Sequence, residues 1–106
     1  MNEKPNLDYV HEIANGDIAF QILLIKTIKE ETQLEVAEYK KFLEIKEFIK
    51  ASEIVHKLVH KISILGLEKS CVLAKKHEEA LKEKNAAMQT EFQTIIQKMS
   101  DFLNDK

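Results

Sequence analysis

Chain breakers are almost absent from this sequence: it holds two glycines and one proline in 106 residues. A sandwich or barrel needs turn residues roughly every 8–12 positions, and nothing here supplies them. What the chain does supply is apolar residues recurring at steps of three and four, the period of a helix with one buried face. Five helical segments can be read from it. The first covers about Leu7 to Ala14, with Asn6 as N-cap and Asn15-Gly16 as the stop. Asp17 caps a second, whose stripe runs Ile18, Ile22, Ile25, Ile28, Thr32, Val36, Tyr39 and Phe42. Its end, near Leu43 to Lys46, lacks a strong breaker.

The third helix, about Glu47 to Leu65, carries Phe48, Ala51, Val55, Leu58, Ile62 and Leu65, and Gly66 stands where a helix C-terminus favours glycine. A fourth, about Leu67 to Lys84, turns Cys71, Ala74 and Leu81 inward behind a lysine- and glutamate-rich face; Glu78 falls where an apolar residue is expected. After a turn at Asn85, the fifth repeats cleanly at Met88, Phe92, Ile95, Met99 and Phe102. Helices joined by short loops prefer antiparallel neighbours. The expected fold is therefore all-α, a four-helix up-down-up-down bundle with a short additional N-terminal helix, as one domain over residues 1–106.

Charge narrows the partners. The net charge is −2, which gives no drive toward nucleic acid. All sixteen basic residues are lysines, so bidentate arginine contacts to phosphate are excluded. A single cysteine, Cys71, forms no internal disulfide and suits a reducing compartment. The longest apolar cluster, Ile22 to Ile25, is far below the length of a membrane span. Asn2, Glu3 and Lys4 open the chain in place of a basic patch and an apolar stretch, so no secretory signal is expected. The expectation is a cytoplasmic protein with no nucleic-acid or membrane partner, monomeric because its stripes already face inward.

The chemistry concentrates on the third helix. At 100° per residue, His56 lies roughly 130° from the centre of the buried stripe. Ile49, Ser52, Glu53, His60 and Ser63 share that outer face, with Val59 between it and the core. Apolar groups around a reactive side chain suggest a docking surface. From helical geometry alone, His56 and His60 are as readily ordinary surface histidines. Their spacing of four also fits metal chelation, but Glu53 is the only further ligand nearby, and no metal site is expected. Ser52 and Ser63 lack an acid–base constellation for hydrolysis. His11 and His77 read as surface or helix-end residues, Cys71 as core, and Glu78 and Glu79 as solvated surface.

The segment from Ser52 to Gly66, SEIVHKLVHKISILG, resembles the active helix of histidine-containing phosphotransfer domains. In that family the pattern is His-x-Leu-Lys followed by a small residue, with a glycine ten residues after the histidine. His56, Leu58 and Gly66 occupy the matching places, Leu58 and Gly66 in structural roles. LDYVHEIANGD followed by a long amphipathic helix is similar to the N-terminal part of the family, and five helices in this order span the chain. The resemblance implies that His56 accepts a phosphoryl group at Nε2 from a receiver-domain aspartyl phosphate and passes it to another receiver aspartate. Partners would be response-regulator receivers or a hybrid sensor kinase. The chain would be a phosphoryl carrier, not a self-sufficient enzyme, and would need no cofactor of its own, since Mg²⁺ belongs to the receiver. Val59, His60 and Ser63 would surround the phosphoryl group, and Ile49, Ser52 and Glu53 would form the docking face. The motif lysine is replaced by Val59 and the small residue by His60. Lys57 and Lys61 point away from His56 and do not substitute. These departures leave open a non-catalytic module that docks receivers without efficient transfer.

Overall fold

The computed structural model describes residues 3–106; Met1 and Asn2, part of the expected single domain, lie outside the described residues. Its described residues form five helices and no strand: α1 (Asp8–Ala14), α2 (Ile18–Glu44), α3 (Phe48–Ile64), α4 (Glu68–Lys82) and α5 (Gln89–Asn104). No helix among them is long and apolar enough to cross a membrane. Helix α3 packs against both α2 and α4, and α5 touches the same two helices. Two neighbours bury a wide arc of α3: Ala51, Val55, Leu58 and Ile62 are joined in the core by Ile54 and Val59.

The end of α2, where the sequence offers no strong breaker, is closed by its backbone. After α2, the Glu47 amide donates to the Phe42 carbonyl and the Lys46 amide to that of Leu43, the paired bonds of a Schellman motif. The same pairs recur at Gly66–Leu67 and Lys84–Asn85. The motif needs a left-handed residue, and Lys46 and Lys84 occupy it at φ near 60°. A lysine there gives no glycine signal to read. Replacing Lys46 with Gly removes a Cβ that disfavours this conformation, and urea melts should show about 0.5–1 kcal/mol more stability. Gly66 has a second constraint, because a Cβ there would stand 2.6 Å from Asn6 Nδ2. Asn6 is not the N-cap of α1; Leu7 is, but the Asn6 carboxamide still accepts from the Asp8 amide.

Residues before α1 cross to the far helices. The Glu3 carboxylate accepts from the Lys69 and Ser70 amides and from Ser70 Oγ, and its carbonyl accepts from Lys98 Nζ. It thereby caps α4, which has no capping side chain of its own. Partial removal from water pushes the Glu3 carboxyl pKa up, but these hydrogen bonds outweigh it and hold the group below its ordinary value.

Burial departs from expectation on α2 and on α4. Ile18 and Ile22, placed on the inward stripe of α2, are 62% and 63% exposed. α3 and α5 meet α2 further along, at Glu31–Glu35 through Lys61 and at Gln33 through Asn104. His77, expected at the surface, is fully buried. Tyr39 Oη lies 2.8 Å from its Nε2, Phe92 packs on its ring, and Nδ1 has no hydrogen-bond partner among the described residues. Burial lowers the His77 pKa, opposed only in part by the charge of Glu91, while burial pushes the Tyr39 phenol up. A histidine whose folded pKa is depressed binds its proton better when unfolded. Its contribution is intact above the unfolded value of about 6.5 and is lost as pH falls below it toward the folded value. Urea melts below pH 6.5 should lose up to about 1.4 kcal/mol per pH unit from this group. His77→Gln should flatten that slope.

Candidate functional site

The groove between α3 and α4 gathers the chemistry. Helix α3 contributes His56, Val59, His60 and Ser63 to its walls, and α4 contributes Cys71, Lys75, Glu78, Glu79 and Lys82. The groove is open and about 530 Å³ in volume. His56 stands out of it, its side chain 63% exposed, as the position opposite the core stripe predicts.

Glu78 is what the sequence reading passed over. Expected as solvated surface, it is buried, with its carboxylate 3.1 and 3.3 Å from His56 Nδ1. It is an apolar-stripe position on α4 that turns a carboxylate toward α3, and the break in that stripe was its signal. A carboxylate only accepts, so His56 Nδ1 carries the hydrogen and donates it. In the neutral form of the ring this leaves the lone pair on Nε2. The contact fixes the orientation of a ring whose side chain is otherwise largely exposed.

The cations of the site come from α4. Lys82 Nζ lies 3.6 Å from Glu78 Oε2 and 3.3 Å from Glu79 Oε1. The hydrogen bond and charge of Glu79, with a smaller contribution from Glu78, raise the Lys82 pKa. Lys75 lines the same groove. Lys61 is committed elsewhere: its ammonium pairs at 3.0 Å with both Glu31 and Glu35. Burial pulls its pKa down, but the two glutamates more than offset this and keep it charged. Val59 is apolar and 8% exposed. The lysines that line the groove with His56 therefore come from the neighbouring helix and not from the next turn of α3.

The remaining predicted residues divide. His60 is exposed one turn beyond His56, with ring centroids 5.4 Å apart and nearly perpendicular planes. Ser63, Ile49 and Glu53 are exposed as expected, Ile49 at 46%. Ser52 is not part of a docking face: it is 1% exposed and donates to the Ile49 carbonyl at 2.6 Å. It lies on the flank of α3 that the wide buried arc includes. Leu58 is fully buried and Gly66 holds its left-handed turn. Cys71 is half-buried, packing on the core and lining the groove. Among the described residues, no group of three or more metal-binding side chains comes together.

Compared with protein-family models, curated proteins and solved structures, the chain matches none of them.

Proposed function

We propose that this chain is a phosphorelay carrier of the histidine phosphotransfer kind, a four-helix up-down-up-down bundle with α1 as a short addition, and that His56 is its phosphoryl acceptor. The observation that carries this reading is the contact of His56 Nδ1 with the Glu78 carboxylate beneath an otherwise exposed ring. In the reaction, the Nε2 lone pair attacks the phosphorus of a receiver's aspartyl phosphate. The N–P bond forms as the bond to the aspartate oxygen breaks, and that aspartate leaves as a carboxylate. Positive charge developing on the imidazole is stabilised by Glu78. Lys75 and Lys82 offset the added phosphoryl charge, the role that Val59 cannot perform. Attack by a second receiver aspartate reverses the step. Mg²⁺ acts on the receiver side of this exchange.

Incubation with a phosphorylated receiver and Mg²⁺ tests the reading: acid-labile, alkali-stable phosphate should appear on the chain. Glu78→Ala should slow labelling by at least about tenfold, as the loss of an orienting partner does elsewhere. Nitrogen NMR of His56 separates this from a folding defect. The wild type should hold its hydrogen on Nδ1, and the variant should shift toward the Nε2–H form that free histidine side chains prefer. Unchanged tautomer and rate would remove Glu78 from the mechanism.

A second reading is a module that docks receivers without transfer, favoured by the buried apolar Val59 where the family carries lysine. Receiver binding that survives His56→Gln, with no phosphohistidine in the wild type, would select it.

A further inference from the structure

The longest charge-free run in a chain that is 32% charged is Ile18 to Ile25, and it opens α2. A helix apolar on all sides is normally buried on all sides. Here Ile18, Phe20, Ile22 and Leu23 are between 41% and 63% exposed. The expectation of a monomer assumed that every apolar stripe turns inward, and this one does not. We infer that the first turns of α2 are a self-association surface, covered by the same segment of a second copy running antiparallel to it.

Charge selects both the occupant and the direction. Residues 18 to 25 carry no charge that a copy of themselves would repel. Asp17 stands at one end of the run and Lys26, followed by Lys29, at the other, all of them exposed or half-buried. An antiparallel pair centred between Gln21 and Ile22 sets Asp17 of each copy beside Lys26 of the other, and does so twice by symmetry. A parallel pair would set like charge on like and add the two helix dipoles unfavourably. Ala19, exposed on the same turns, lets the backbones approach. A core without charge and a rim with opposite charges is the pattern of homodimer interfaces. None of these residues lines the His56 groove, so both acceptors of a dimer stay open.

Sedimentation equilibrium of the full chain, from micromolar to millimolar, tests the inference. The wild type should approach twice the monomer mass, and Leu23→Lys should stay monomeric with unchanged helicity. Lys26→Glu, which places two carboxylates together at each end, should weaken the dimer about tenfold. Adding Asp17→Asn, which keeps a capping side chain, should restore part of that loss. A wild type that is monomeric throughout overturns the inference. So does a dimer indifferent to both Leu23→Lys and Lys26→Glu. Lys26→Glu changes only an exposed charge, so the test stands even if Leu23→Lys fails to fold.

Discussion

Replacing His56 with Gln should abolish acid-labile phosphate on the chain and leave its fold intact. Glutamine has no nucleophilic nitrogen, because the amide lone pair is delocalised into its carbonyl. The side chain at this position is 63% exposed, and exposed substitutions away from special features change stability by about 0.5 kcal/mol or less. The glutamine amide can still donate to Glu78, so that buried carboxylate is not stranded. Loss of label with unchanged helicity and melting would therefore report chemistry alone. His60 is the necessary control, since its ring lies 5.4 Å away on the same face. His60→Gln should retain the label, because among the described residues no carboxylate hydrogen-bonds the His60 ring as Glu78 does that of His56. Label that persists in His56→Gln and disappears in His60→Gln would move the acceptor one turn along α3 and sink the assignment to His56. Alkali stability of the phosphate excludes carry-over on an aspartate, whose acyl phosphate hydrolyses in base.

The position of His56 was legible because it depends on the period of one helix. The buried stripe of α3 fixes its opposite side, and His56 falls there. The partner of His56 was less legible because it depends on how α3 and α4 pair. Glu78 announced itself only as a defect in a stripe. His77 shows the reverse fault. It stands three residues after Ala74 and four before Leu81, both fully buried, so spacing placed it on the inward face. Its residue type argued for the surface, and position was the better guide because Tyr39 supplies the polar contact that burial requires. Ser52 was misplaced because one stripe underestimates the buried arc of a helix with two neighbours. Ile18 and Ile22 were misplaced for a different reason. Periodicity shows which side of a helix is apolar, but not how far along its length the neighbouring helices reach.

Phe92→Ala should cost about 3–5 kcal/mol, the range for removing a large aromatic from a packed core. Phe92 is fully buried where α5 meets both of its neighbours. Its ring is 5.0 Å from that of Tyr39 on α2, edge-on, and 5.0 Å from that of His77 on α4. No other buried residue of α5 makes an aromatic contact to each of those helices. Ile95, Ile96, Met99 and Leu103 continue the same face with Phe102 packed at its edge, and polar contacts such as Asn104 with Gln33 and Lys98 with the Glu3 carbonyl add to it. Small domains are stable by about 5–15 kcal/mol, so this one truncation removes a large share. At roughly 4–8 °C per kcal/mol for a domain of this size, Tm should fall by more than about 12 °C. Phe92→Leu keeps most of the volume and should lose far less. The cavity also brings water within reach of His77 Nδ1, which is otherwise without a partner. Hydration relieves the burial that lowers the His77 pKa, so the acid loss of stability in Phe92→Ala should be shallower than in the wild type. A truncation that costs less than about 1 kcal/mol, or one that leaves the pH slope unchanged, would mean that Phe92 does not hold α5 and the buried histidine together.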